Sequence, residues 1–186
     1  MLLLALPAEM AHADKPVAPP GFNVHLVEAR PGGRFWRGGA PRLDTAATLL
    51  RSARERRVHL TLLDLRFPPN TDDRLPKGGR LTPDGEKRWA QQAGVTHQPI
   101  SALDPSLPAR IEAALARGDV YLHCMYGVNR TGFAVGRWAT ARSRNPDRAG
   151  LGKRDWKQGV AFEKPRILQR SSGSGRKLHP THGNSR

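Results

Sequence analysis

The sequence predicts an α/β fold: one domain with a mostly parallel central sheet flanked by helices. Two near-continuous apolar stretches, Val58 to Leu65 and Val120 to Leu122, have the character of strands covered on both faces. Segments with helical spacing alternate with the strands, which is the pattern of a parallel α/β sheet. The chain has 186 residues, enough for one domain with a buried core and too few to suggest two.

The elements follow in order. Met1-Leu-Leu-Leu-Ala-Leu-Pro resembles the end of a signal-peptide apolar region, and Ala11-His12-Ala13 fits a small-x-small cleavage site. The basic leader is absent, so an exported chain and an ordinary terminus both stay open, with export slightly favoured. The proline-rich stretch Lys15 to Pro20 reads as a tether. Residues 1–20 are therefore set apart from a domain expected over 21–163. Asp44 is expected to cap a helix reaching about Arg56, with Leu49, Leu50 and Ala53 on one face. Val58 to Leu65 is a strand. Phe67 to Thr82 mixes proline, glycine and charge without periodicity and is a loop.

Thr82 then caps a helix with Pro83 in its first turn, running to about Ala93. Val95 to Ile100 is a strand, and Pro108 to Arg117 a helix closed by Gly118. Val120 to Leu122 leads into a loop, and Thr131 to Arg142 reads as the helix after it. Arg154 to Glu163 is expected as a last helix, cut off by Pro165. Residues 164–186 carry Lys164, Arg166, Arg170, Arg176, Lys177 and Arg186 among serine and glycine with no acidic residue, the composition of a disordered tail.

Thirty-one Lys and Arg against sixteen Asp and Glu leave a formal charge of +15. That favours anionic partners and speeds their encounter without naming the anion. A generally arginine-rich surface accounts for it equally well. The single cysteine excludes a disulfide framework and a cysteine-based metal site. The seven histidines are scattered, and no His-Glu-x-x-His or aspartate set with ligand spacing occurs, so no metal and no cofactor is expected. No segment after the first few residues is long and apolar enough to span a membrane.

The most informative feature is His123-Cys124-Met125-Tyr126-Gly127-Val128-Asn129-Arg130-Thr131-Gly132. Five residues separate Cys124 from Arg130. A loop of that length between a strand and a helix can turn successive backbone N–H groups toward one anion. The helix start adds its free N–H groups and the positive end of its dipole. Thiols react as thiolates, which cations and helix N-termini favour. Arg130 offers a planar fork for two phosphoryl oxygens. Gly127 lets the chain turn where a Cβ would obstruct it. Thr131 is expected to set its hydroxyl beside the cysteine sulfur. His123 is expected to orient the cysteine backbone without transferring protons itself. Met125, Tyr126, Gly127, Val128, Asn129 and Gly132 complete the expected substrate-binding loop, around an activated nucleophile.

This loop strongly resembles the His-Cys-(five residues)-Arg-Thr signature of the cysteine-dependent protein tyrosine phosphatase superfamily. Phe35-Trp36-Arg37-Gly38-Gly39-Ala40-Pro41 is similar to the tyrosine-arginine-serine-glycine-glutamine-proline segment of compact bacterial dual-specificity-like phosphatases. Val58 to Arg66, ending Asp64-Leu65-Arg66, is similar to the strand that follows it there. Together the matches span roughly residues 33–142. The resemblance implies a phosphate-monoester hydrolase working through phosphocysteine, with a phosphorylated protein as substrate.

Breaking the P–O bond requires a proton for the leaving oxygen. Asp104 is the expected acid, since it follows the strand ending at Ile100, on the sheet edge where α/β sites assemble. It also resembles the mobile-loop aspartate of dual-specificity phosphatases. The competing reading is that Asp104 only turns the chain before Pro105. Asp72 and Asp73 are the reserve. Substrate identity stays open among three phosphate classes. The uncharged loop residues differ from the lysines of lipid phosphatases. Asn129-Arg130-Thr131-Gly132 resembles the loop of cysteine-dependent RNA 5′-triphosphatases, and Tyr126 suits an aromatic group or a base. Inositol polyphosphates are the third class. A module that binds phosphate or nucleic acid without turnover is the non-enzyme alternative.

Overall fold

Seven consecutive residues from Gly118 to Cys124 are buried, which a strand permits only when both its faces are covered and both its edges are paired. This segment, the last of the strands, is the centre of the sheet. The computed structural model describes residues 18–69 and 78–142. The possible leader, Asp72 and Asp73, the expected helix at 154–163 and the basic tail lie outside the described residues. The described elements are β1 (His25–Arg30), β2 (Gly33–Gly39), α1 (Leu43–Glu55), β3 (His59–Asp64), α2 (Pro83–Ala93), β4 (Thr96–Pro99), α3 (Leu107–Leu115), β5 (Gly118–Cys124) and α4 (Asn129–Ala141).

The strand order is β1-β2-β5-β3-β4. β2, β5, β3 and β4 run parallel, and β1 pairs antiparallel with β2 at one edge. The expected fold class is therefore the one observed. Side chains alternate along β5 and divide the core into two layers. Val120, Leu122 and Cys124 pack with Leu107, Ile111, Ala134 and Trp138, on the face covered by α3 and α4. Tyr121 packs with Trp36, Leu49, Ala53 and Ala90, on the face covered by α1 and α2. Trp138 meets Phe35 edge-on at 5.0 Å, locking α4 to β2.

α2 has the expected bounds for the expected reasons. The Thr82 hydroxyl accepts the Gly85 N–H at 3.1 Å, Pro83 occupies the first turn, and Gly94 closes the helix at φ +69°. Two expectations need correction. Asp44 does not cap α1: Arg42 holds the cap position, and Asp44 lies in the first turn, where its carboxylate accepts the Thr45 N–H at 2.7 Å. A negative charge in that turn is favourable next to the helix dipole, so the same residue serves the same end one step further in. Gly118 does not close α3, whose cap is Ala116. It opens β5 at φ +154°, where a Cβ would lie 2.1 Å from the His59 carbonyl oxygen, so the glycine serves the close approach of β5 to β3. Parallel strands that end along one edge put the loops after β3, β4 and β5 together there, and Cys124 is the last residue of β5.

Candidate active site

The four residues between Cys124 at the end of β5 and Asn129 at the start of α4 make the turn. Their carbonyl groups are tied one after another. Met125 O accepts the Ala40 N–H at 3.1 Å, Tyr126 O accepts Asn23 Nδ2 at 2.9 Å, and Gly127 O accepts Arg37 Nη2 at 2.6 Å. In a trans peptide the N–H points opposite to the C=O. Holding these three carbonyls against the end of β2 and the segment before β1 therefore turns the N–H groups of Tyr126, Gly127 and Val128 the other way. Successive N–H groups facing one side make an anion nest. Val128 caps α4, and its carbonyl accepts the Gly132 N–H at 2.8 Å, so the helix start directly adjoins the nest.

Gly127 is required twice over. Its φ is +69°, and a Cβ would lie 2.4 Å from Gly38 C and 2.5 Å from Gly39 N, both backbone atoms that cannot step aside. Gly127→Ala should cost about 1–3 kcal/mol through backbone strain. It should also weaken inorganic phosphate binding. Thermal melts and phosphate titration check both, and an unchanged phosphate affinity would show that the turn tolerates a side chain.

The expected nucleophile and the expected fork take their places around this turn. Cys124 is 3% exposed and faces the α3/α4 core. Arg130 is the second residue of α4, and its Nη1 donates to the Leu65 carbonyl at 3.2 Å. Thr131 is fully buried, and its hydroxyl donates to the Gly38 carbonyl at 3.5 Å, which ties the start of α4 to β2. Met125 is buried and serves the loop through its backbone. Tyr126 is exposed: its ring meets Phe22 edge-on at 6.3 Å, and the Arg80 guanidinium lies over both rings. Asn129 begins the helix, and Gly132 is buried in its first turn.

His123 points away from the cysteine side chain, as strand alternation requires. Its ring stacks on Tyr121 at 5.4 Å, and its Nε2 bonds Glu86 Oε1 at 2.8 Å. Glu86 Oε2 in turn accepts Arg66 Nη2 at 2.5 Å. Arg66 also donates to both Asp64 oxygens, through Nε at 2.8 Å and Nη2 at 2.9 Å, and to the Leu81 carbonyl at 2.7 Å. All four side chains are at most 2% exposed. Burial alone would raise the Asp64 carboxyl; His123, His97 and Arg66 around it instead hold it well below the usual carboxylate range. Asp64, Glu86 and His97 bring potential metal-ligand atoms within 4.8 Å of one another, a grouping that linear spacing did not reveal. The Arg66 guanidinium already engages both carboxylates, so the grouping is accounted for by ion pairs. Arg66 was visible only as the end of a resemblance, and Glu86 gave no sequence signal beyond its place in a capped helix. Arg37 lies in the Phe35–Pro41 segment, but nothing in the sequence marks it as the donor to Gly127.

Asp104 lies on the loop after β4, at the same edge of the sheet as the cysteine loop. Its Oδ1 accepts the Ser106 hydroxyl at 2.6 Å and the Ser106 N–H at 2.8 Å. The hydroxyl bond first, and the backbone bond next, hold its carboxyl below the ordinary range. Arg137 of α4 grips the carbonyls of Ala102 and Asp104 at 2.8 and 3.0 Å while its guanidinium lies over Phe133, one turn nearer the cysteine loop. The loop carrying Asp104 is thus docked along the helix that carries Arg130.

No family model matches the chain, and no curated protein matches it. Among solved structures it is similar to TpbA of P. aeruginosa, at 20% identity over 81% of this chain and 90% of that one, with a TM-score of 0.47. It is similar to PTPMT1 at 17% identity over 81% and 99%, with a TM-score of 0.39. It is also similar to Tk-PTP in its active form at 21% identity over 77% and 97%, with a TM-score of 0.40. Among the described residues no helix is long and apolar enough to cross a membrane.

Proposed function

We propose that this protein is a cysteine-dependent phosphatase that hydrolyses phosphate monoesters through a phosphocysteine intermediate. The observation that carries the reading is the row of three outward-tied carbonyls between Cys124 and Arg130. It leaves a nest of N–H groups between a thiol and a guanidinium, which is the electrostatic requirement of phosphoryl transfer. Cys124 Sγ attacks phosphorus as the ester P–O bond breaks. The nest and Arg130 hold the phosphoryl oxygens, and Asp104 gives its proton to the departing oxygen. Water then attacks phosphorus and gives a proton back to the Asp104 carboxylate as the S–P bond breaks, and thiolate and phosphate are released. Thr131 acts from its tie to Gly38, steadying the helix start against β2.

Phosphotyrosine or dual-specificity protein substrates are the first reading, supported by the exposed Tyr126 ring beside an uncharged loop. A second reading has its own support. Ser106 stabilises the Asp104 carboxylate, the form that cannot donate a proton. An anhydride leaving group, as in an RNA 5′-triphosphate, needs little protonation. Turnover of phosphopeptides, inositol polyphosphates and triphosphate-ended RNA by the purified protein, with mass-spectrometric trapping of phosphocysteine, decides among them. Binding with no hydrolysis of any of these would favour the non-enzyme module.

Asp104→Asn should depress turnover most for esters with poor, high-pKa leaving groups and least for activated aryl phosphates. The sign of the pH effect follows from the lowered carboxyl. The acid is lost as pH rises through a value below the ordinary aspartate range of about 4, so the wild-type rate with poor leaving groups should decline early on the alkaline side. In Asp104→Asn that limb should vanish. Equal losses across leaving groups with an unchanged profile would leave Asp104 as a turn residue only.

A further inference from the structure

Cys124 and Arg130 sit on different supports, and one buried carboxylate, Glu86, bonds a neighbour of each support. Cys124 follows His123, whose Nε2 bonds Glu86 Oε1 at 2.8 Å. Arg130 is held by the Leu65 carbonyl at 3.2 Å, and Leu65 lies between Asp64 and Arg66. Arg66 is in turn fixed by Glu86 Oε2 at 2.5 Å and by Asp64. The Leu65 N–H donates to the His123 carbonyl at 2.8 Å, which closes the circuit. Glu86 is delivered to this point by the first turn of α2, whose capped start leaves little freedom. A carboxylate has two oxygens, and here one bonds the strand that carries Cys124 while the other bonds Arg66, next to the Leu65 carbonyl that holds Arg130.

We propose that Glu86 is a positioning residue that sets Cys124, through His123, and Arg130, through Arg66 and the Leu65 carbonyl, at a common separation for one phosphoryl group. The proposal rests on the phosphatase reading of the loop, and it extends that reading to the opposite face of the sheet. Glu86→Gln keeps the shape but not the capacity to accept from both neighbours as a carboxylate does. Small displacements of reacting groups carry large rate penalties.

The test compares Glu86→Gln with Glu112→Gln in the full chain. Glu112 is also a multiply bonded carboxylate, tied to Arg30, Arg142 and Trp138, but it lies toward the opposite edge of the sheet. Both variants are expected to melt earlier. Only Glu86→Gln is expected to lose kcat on an aryl phosphate, by roughly ten- to a hundredfold per folded molecule. The same variant is expected to need more inorganic phosphate to protect Cys124 from iodoacetamide. Identical kcat and protection in the two variants would overturn the proposal. If Glu86→Gln does not fold, Arg66→Lys, which keeps the buried charge but not the fork, is judged by the same two readouts. A wild-type protein that phosphate protects but that hydrolyses no ester would overturn the phosphatase reading and leave protection to judge Glu86. No protection in the wild type would overturn both.

Discussion

Cys124→Ser should abolish phosphate release from every ester while leaving phosphate binding measurable. A hydroxyl does not ionise near neutral pH, so the nucleophile disappears. The nest is built from backbone groups tied by Asn23, Arg37 and Ala40, none of which the substitution touches. The site is not neutral for stability, because Cys124 is 3% exposed in an apolar layer. A serine hydroxyl left there without a partner costs about 1–3 kcal/mol. The variant should therefore melt somewhat earlier and still bind inorganic phosphate by calorimetry. Residual turnover at the wild-type rate would remove Cys124 from the mechanism.

The fold was legible where hydrophobic patterning and punctuation agreed. β3 and β5 appeared as apolar runs because both faces are covered, and α2 appeared through Thr82, Pro83 and Gly94. The β1–β2 hairpin was not anticipated. Its residues, His-Leu-Val-Glu-Ala-Arg and Gly-Arg-Phe-Trp-Arg-Gly-Gly, carry charge and glycine that dilute any period. They are strands because β2 fills the free edge of β5, and that is a tertiary cause which local sequence does not encode.

The site divides in the same way. Cys124, Gly127 and Arg130 stand out in the sequence because the chemistry expected of them depends on short spacing within one turn. The supports were not, because they act across long separations: Arg37 reaches Gly127, Glu86 reaches His123, and Asn23 reaches Tyr126. The tie of Thr131 to β2 has a similar origin. Spacing places Thr131 at the start of the helix, but only the packing of α4 on β2 brings the Gly38 carbonyl to its hydroxyl.

Arg130→Lys should lower kcat by at least about a hundredfold, the scale of losing one preorganised oxyanion donor. The charge survives this change, so the effect isolates geometry. The guanidinium has donors on three nitrogens in one plane. It can keep its bond to the Leu65 carbonyl through Nη1 and still present a flat pair of N–H groups to two phosphoryl oxygens. The lysine ammonium is a single centre on a flexible stem. If it binds the Leu65 carbonyl it is turned from the phosphate, and if it binds phosphate the carbonyl loses its donor. Ground-state attraction should fall less than kcat, since a point charge still draws a dianion. The pair of measurements is therefore kcat on an activated aryl phosphate and the affinity for inorganic phosphate. A kcat near the wild-type value would mean that charge alone suffices at this position and that the fork is incidental. A large loss of affinity with kcat preserved would place Arg130 in substrate capture instead of transition-state stabilisation.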